Sequence, residues 1–245
     1  SISPPYTVYS EIDWFALSRG IFTFSNELWT SYLYFNKKGE NNEFSNQPNT
    51  EPYDFDRLLL HGDAFVEWKP FKHPQYGDIE IGGFKKNYIR NHPGFILEMD
   101  GHRNASFTIF HANQMPKIEI GDVVRKELGN GLTEVTAIIR NTRVIPTHSS
   151  FDVKNKVNPA DLITLKDVQV VAGLQMTNAD GGGFGSTTAF EGYTEQKLTP
   201  QTLEVPNIPG MGYVKVRWIV KGNLATWNIE VNSQKGGLTT GSGKF

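Results

Sequence analysis

The sequence predicts two successive architectures, an α/β segment over residues 1–116 and an all-β antiparallel sandwich over residues 117–245. Three observations carry this expectation. Up to about residue 116 the chain is rich in aromatics and mixes short helical and strand patterns. From Lys117 onward, apolar residues alternate with polar ones in short runs separated by turn signals. Near the start, Gly20-Ile21-Phe22-Thr23-Phe24-Ser25-Asn26-Glu27-Leu28-Trp29 drives a hydrophobic strand pattern straight into a carboxylate.

Glu11 to Arg19 reads as a short helix. Ile12, Phe15 and Ala16 fall at helical spacing, Trp14 and Leu17 extend the apolar surface, and Gly20 stops it. Ile21 to Leu28 reads as a strand, with Ile21, Phe22 and Phe24 as core candidates. Asn36 to Pro52 is rich in Asn, Lys, Glu and Pro and reads as a polar loop. Asp54 is a candidate cap for a helix carrying Leu58, Leu59, Leu60 and Phe65. Trp68 to Pro74 is extended and punctuated by proline, and Gly77 to Gly83 is a short strand bracketed by glycines. Residues 96–114 read as a helix with Phe107, Phe110 and Gln114 on one side, ended by Pro116. Gly101 weakens that helix by ~1 kcal/mol relative to alanine.

Six strands follow: Val123–Leu128, Leu132–Ile139, Leu162–Val171, Leu203–Val205, Tyr213–Val220 and Ala225–Val231. Gly129-Asn130-Gly131 and Lys221-Gly222-Asn223 mark turns between them, and Lys215 and Arg217 are expected to face outward. Asp180 to Gly185 reads as a loop. It is no phosphate cradle, because no Lys-Ser/Thr and no helix pattern follow. The tail from Gly236 to Phe245, rich in Gly, Ser and Thr, reads as a linker or frayed end.

Composition excludes several classes. The net charge is −2, too small to draw the chain to nucleic acid or an anionic membrane. With no cysteine there is no disulfide, thiolate metal site or cysteine nucleophile. No apolar run approaches the ~20 residues of a membrane span. The chain opens on Ser1-Ile2-Ser3-Pro4-Pro5, which reads as a loop cut from a longer polypeptide. None of His61, His73, His92, His102, His111 and His148 has Glu three residues on, and their spacings match no common helical metal motif. The histidines are therefore read as surface or hydrogen-bonded residues, and no metal ligand is assigned.

The run Thr7-Val8-Tyr9, Ile12-Asp13-Trp14, Gly20-Ile21 and Phe24-x-x-Glu27-Leu28 resembles the end of the catalytic domain of the zinc metallocarboxypeptidases (carboxypeptidase A-like) over about 25 residues. A looser similarity, from Trp68 to Gly83 and from Val216 to Gly237, extends to large bacterial members with added β domains. The resemblance implies that residues 1–116 are the C-terminal part of a mixed-sheet catalytic domain, incomplete without its N-terminal part, and that residues 117–245 are an accessory sandwich. It implies zinc as cofactor, with its ligands upstream of this chain, and a peptide or protein as substrate. Glu27 is then general base and general acid, taking a proton from the attacking water and passing it to the leaving amine. Tyr9, or Tyr6 in its place, closes on the substrate. Ile12 lines the floor of the pocket for the substrate's C-terminal side chain and favours apolar ends, while Asp13 is structural, as a cap or buried acceptor. An extracellular, periplasmic or cell-surface location accompanies this reading. Residues 1–116 would need another polypeptide segment to complete their fold. The sandwich, whose strands carry no clustered carboxylates or histidines, would be dispensable for the chemistry. The alternative is a non-catalytic binding or structural module of a cell-surface protein, with some of the five Trp and nine Tyr as exposed platforms.

Overall fold

The computed structural model describes residues 11–26, 28, 51–177 and 192–245. The chain divides into two compact units, Ser25–Thr108 and a second one joining the residues up to Phe24 with Ile109–Phe245. Tyr6, Tyr9 and Glu27, most of the 36–52 loop, and the Asp180–Gly185 loop lie outside the described residues.

The expected N-terminal helix forms as α1 (Glu11–Asp13) continued by one wide π turn, Trp14–Ser18. It buries none of its side chains. Asp13 has helical backbone angles and makes no side-chain capping bond, so the expected cap is not formed. Gly20 ends the helix as foreseen. At φ +62° it takes the left-handed conformation, its N–H donates to Ala16 O, and the Ile21 N–H reaches Phe15 O, a left-handed glycine stop whose two bonds each span one residue more than a Schellman pair, as the wide turn before it requires. The next stretch departs from expectation. Residues 21–26 and Leu28 join no ladder among the described residues, and Ile21 and Phe24 are exposed rather than buried. Their alternation is a strand pattern, but a strand exists only where a neighbour accepts its hydrogen bonds.

In the Ser25–Thr108 unit, α2 (Glu51–Leu59) starts three residues before Asp54, so Asp54 does not cap it and instead pairs with Arg57 at 3.2 Å. Asp56 organises the following turn: its buried carboxylate accepts from the N–H groups of Ala64 (2.6 Å) and Phe65 (3.0 Å). Phe65 therefore opens β1 (Phe65–His73) rather than extending the helix. β1 pairs antiparallel with β2 (Gly77–Phe84), and both strands are largely exposed. Helix α3 (Lys86–Arg90) and α4 (Gly94–Asn113) follow, the latter matching its expected span closely. The core of this unit is small: Phe55, Ala64, Tyr88 and Ile96, flanked by Leu60 and Phe84.

The remainder is antiparallel β. β3 (Ile118–Gly129) and β4 (Leu132–Asn141) join through Asn130-Gly131, both at positive φ, the requirement of a two-residue type I′ hairpin. A short helix α5 (Ser150–Asn155) precedes β5 (Asp161–Leu165). β6 (Val170–Thr177), β7 (Gly192–Gln196), β8 (Thr202–Val205), β9 (Gly212–Lys221), β10 (Thr226–Ser233) and β11 (Gly237–Lys244) complete the set. The expected strand over Leu162–Val171 is two strands, β5 and β6, which belong to different sheets. One sheet runs β3-β4-β9-β6-β7 and the other β11-β10-β5-β8. Alternate residues of β4 and β9 point inward, including Val135, Ala137 and Ile139 and Val214, Val216, Trp218 and Val220. They meet Ile163, Leu165, Leu203, Val205, Ile229 and Val231 of the other sheet in one continuous core.

The tail corrects the expectation of a linker. Gly237–Lys244 pairs along the whole of β10. Its glycines serve packing: a Cβ on Gly243 would stand 2.9 Å from the Trp227 indole, and one on Gly241 3.3 Å from it. Absence of side chains lets the indole lie on the backbone, a role that composition alone cannot distinguish from flexibility. Gly243→Val is expected to destabilise the chain by ~1–3 kcal/mol through overpacking, with Tm falling ~2–4 °C for each kcal/mol. An unchanged Tm in thermal unfolding would mean that the tail is not part of the sandwich.

Candidate functional site

The polar centre of the sandwich unit is built from the β4–β5 connection and the β10–β11 turn. Ser149 caps α5, its hydroxyl accepting from the Asp152 N–H at 3.1 Å. Ser149-Ser150-Phe151-Asp152 is the S-x-x-D pattern of a capping box. The Asp152 carboxylate, however, is committed to His148, Asn158 and Lys235. Lys156 ends the helix in the left-handed conformation at φ +52°, which turns the chain so that Asn158 faces back to Asp152. The approach to His148 is fixed as well. Thr147 exchanges hydrogen bonds with the Ile208 backbone, and Asn207 accepts from the His148 N–H at 3.1 Å.

His148, Asp152 and Asp161 are all buried. The His148 ring lies between two carboxylates, Nδ1 at 2.9 Å from Asp152 Oδ2 and Nε2 at 3.3 Å from Asp161 Oδ1. An ionised carboxylate only accepts, so both contacts are hydrogen bonds when both ring nitrogens carry protons, the imidazolium form. The hydrogen bond to Asp161 is the main force that raises His148 above its ordinary pKa, against a burial penalty and with help from Asp152. For Asp152, burial pulls the carboxyl upward, but hydrogen bonds from Asn158 and His148 together outweigh it and hold it below its ordinary value. Asn158 donates from its backbone N–H to Asp152 Oδ1 (2.9 Å) and from its amide to Oδ2 (2.8 Å). Lys235 Nζ stands 3.6 Å from the same oxygen. Two carboxylates thus face one imidazolium and one ammonium.

This cluster grips the N-terminal segment. Lys235 Nζ donates to Gly20 O and Asn158 Nδ2 to Arg19 O, each at 2.9 Å. A Cβ on Gly20 would lie 2.8 Å from the Asp152 carboxylate. Only a glycine tolerates both that approach and the positive φ. The arrangement is a charge-balanced clamp on backbone carbonyls. It has neither an exposed nucleophile nor an open face, and both imidazole nitrogens are engaged by carboxylates, so it does not fit a metal ion. Among the described residues no three His, Asp or Glu side chains are grouped to hold one.

Of the sequence-predicted site residues, Ile12 is described and is 37% exposed on α1, not fastened into a core. Glu27 and Tyr9 are outside the described residues. His148, read from the sequence as a surface or hydrogen-bonded histidine, is buried and hydrogen-bonded, while Asp152, Asn158 and Lys235 were not singled out. The cluster forms outside the strands, where the expectation did not look: His148 lies in the β4–β5 connection and Asp152 on α5, and of the three only Asp161 belongs to a strand, as the first residue of β5. A signal existed in the capping-box pattern beside a histidine four residues before its aspartate. A concavity of about 650 Å³ lies in the Ser25–Thr108 unit between Leu60, Tyr88, His92 and Phe95, with the Lys85–Asp63 pair (2.7 Å) at its side.

The chain belongs to a family described as a domain of unknown function (DUF8731), whose profile matches residues 117–243, the sandwich. No curated protein matches significantly. Among solved structures, the solution NMR structure of a conjugate transposon protein (residues 27–141) from Bacteroides vulgatus is similar at 12% identity, with 53% of this chain and 82% of that chain covered and a TM-score of 0.23.

The clamp sets a pH dependence. His148 is raised in the folded state, so its contribution is complete below the ordinary value of 6.5 and is lost as pH rises through the raised one. Asp152 is lowered, so its contribution is present above 3.8 and is lost as pH falls through the lowered one. Stability from the pair is greatest between those ordinary values. His148→Ala, which leaves buried carboxylates uncompensated, is expected to cost ~3–5 kcal/mol. It should also remove the alkaline loss of stability, as read from denaturant unfolding between about pH 5 and about pH 9. A variant with the same alkaline slope as the parent would show that His148 is not the titrating group.

Proposed function

We propose that the chain is the C-terminal part of a zinc-dependent metallocarboxypeptidase, with Glu27 as its general base and acid and the sandwich as a support. The observation that carries this is the sequence run Ile12-Asp13-Trp14, Gly20-Ile21 and Phe24-x-x-Glu27-Leu28, with its likeness to the end of that catalytic domain. Two structural facts accord with it. Residues 21–26 and Leu28 join no ladder among the described residues, as a strand of a larger sheet would when separated from its neighbours. The N-terminal helix leaves Ile12, Trp14, Phe15 and Leu17 all exposed, an apolar surface suited to cover by a further segment.

By the resemblance, the metal would be held by an upstream part of the polypeptide; among the described residues no His, Asp or Glu side chains are grouped to hold one. What this chain contributes is proton transfer and pocket shape. A carboxylate at Glu27 is charged at neutral pH and able to accept the water proton, then return it to the departing amine. Ile12 offers the substrate's terminal side chain an uncharged surface. Apolar ends gain from burial there, and a basic end finds no counter-charge.

In the longer polypeptide that includes the zinc-binding part, Glu27→Gln is expected to lower kcat/KM on blocked dipeptides by ~10²–10⁴-fold. Full activity in that variant would sink the enzyme reading and leave the sandwich as a non-catalytic binding or structural module. Substrates ending in Phe or Leu should be cleaved in preference to those ending in Lys or Arg. Discrimination among the apolar ends should be shallow, since one apolar contact separates them by ~1–3 kcal/mol. Ile12→Asp should shift the preference toward basic ends, and unchanged selectivity would refute the assignment of Ile12.

A further inference from the structure

Lys235 stands between two acceptors. Its Nζ donates to Gly20 O at 2.9 Å and is 3.6 Å from Asp152 Oδ2, so in this state the ammonium is committed to the backbone carbonyl. Asn158 holds the neighbouring carbonyl of Arg19 at 2.9 Å. We propose that His148 operates this grip as a pH latch: protonated, it leaves Lys235 on the Gly20 carbonyl, and deprotonated, it draws Lys235 onto Asp152 and frees the Arg19–Gly20 backbone. All of these residues belong to one compact unit. The charged groups facing the imidazole are Asp152 on α5 and Asp161 on β5, with Lys235 of the β10–β11 turn behind Asp152. Thr147 and Asn207 beside it are uncharged, and the Arg19 guanidinium stands over the Trp14 ring, 5.2 Å from its centre.

The number of donors couples the imidazole to the backbone. An imidazolium gives one N–H to each carboxylate, whereas the neutral ring has one N–H and presents a lone pair at its other nitrogen. Asp161 receives from His148 Nε2, and its Oδ2 has no hydrogen-bond partner among the described residues. Asp152 also receives from the N–H and the amide of Asn158. The last proton therefore stays at Nε2, where it is needed most, and the Nδ1 lone pair faces Asp152 Oδ2 across 2.9 Å. Oδ2 then calls on Lys235. A shift of about 1 Å brings Nζ into the ~2.7–2.9 Å range of an ammonium–carboxylate bond, which in a buried site is stronger than a bond to a neutral carbonyl. Little else holds the segment, because α1 and its π turn bury no side chain. The next attachment is Phe24, edge-to-face on His111 at 4.6 Å, so the opening is local. His148 is raised by its carboxylates, so the latch is closed below the ordinary value of 6.5 and opens as pH climbs through the raised one.

Trypsin reads the latch directly, because the bond it would cut, Arg19–Gly20, joins the two residues whose carbonyls are held. Cleavage of the 245-residue chain at Arg19 is followed by mass spectrometry from about pH 6.5 to about pH 9, below the ordinary lysine range. Each rate is divided by that of a free peptide of residues 11–24, which removes the protease's own pH response. His148 is titrated in parallel by NMR. The normalised rate should rise about tenfold or more, with its midpoint on the His148 titration, as a local opening requires. A flat profile, or a midpoint displaced from that titration, overturns the proposal. Lys235→Met should be cut at the high rate throughout, and a variant that keeps the parent's step would show that Lys235 is not the carrier. His148→Gln cannot titrate and should show no step; a persisting step rules out His148 as the trigger. Cleavage after Lys215 or Arg217, within β9, is recorded in the same digests and should stay slow in the parent. If it rises together with cleavage at Arg19, the change is global unfolding and the latch is wrong. Should His148→Gln fail to fold, the parent and Lys235→Met profiles decide.

Discussion

A buried imidazole with a carboxylate at each nitrogen is the constraint on which this sandwich unit turns. Burying two carboxylates without partners is prohibitive, and the pair at Asp152 and Asp161 is tolerable only because His148 and Lys235 return two positive charges to the same enclosure. The local structure follows from that balance. Helix α5 exists to aim Asp152, the left-handed Lys156 exists to bring Asn158 back onto it, and β5 begins at Asp161, where the second carboxylate is needed. Asp161 Oδ2 has no protein hydrogen-bond partner among the described residues, which makes the His148 contact at Oδ1 the more consequential for that side chain.

The apolar core and the polar clamp divide the work. Interdigitation of β4 and β9 with β5, β8 and β10 buries Trp218 and a dozen aliphatic side chains, and this accounts for two sheets remaining face to face. It does not account for the N-terminal segment, because no side chain of Glu11–Ser18 is buried. Gly20 is the buried residue there, and it has no side chain to bury. Its attachment is therefore a matter of carbonyls, an ammonium and an amide. Such contacts are weak in bulk water and stringent in a site from which water is excluded, so they specify a position more than they supply stability.

Legibility in the sequence followed the range of the interaction that fixes each element. Local rules gave the Gly20 stop, the Asn130-Gly131 hairpin, α4 and the alternation of β4 and β9, because each is decided within a few residues. Long-range pairing was hidden. Gly236–Phe245 has the composition of a linker, and becomes a strand because Trp227 requires a bare backbone opposite it. The Ile21–Leu28 pattern has the composition of a strand and, over its described residues, finds no partner. The clamp was the least legible part, since its members stand at positions 20, 148, 152, 158, 161 and 235 and only the first three residues of α5 with its cap gave a local sign.

The family match and the compact unit do not end at the same place, and the difference has a physical meaning. The matched region, residues 117–243, contains every donor and carboxylate of the clamp, whereas the carbonyls it grips belong to Arg19 and Gly20. A sandwich cut at Lys117 would retain His148, Asp152 and Asp161 but lose the acceptor that Lys235 now reaches, leaving an ammonium of 11% exposure with only Asp152 beside it. That group would have to find water or a different carbonyl. The domain in this chain is thus built with a receptor for a backbone segment that arrives from outside it. The physical unit is the sandwich together with the segment through Arg19 and Gly20, and the clamp is where the two become one piece of structure.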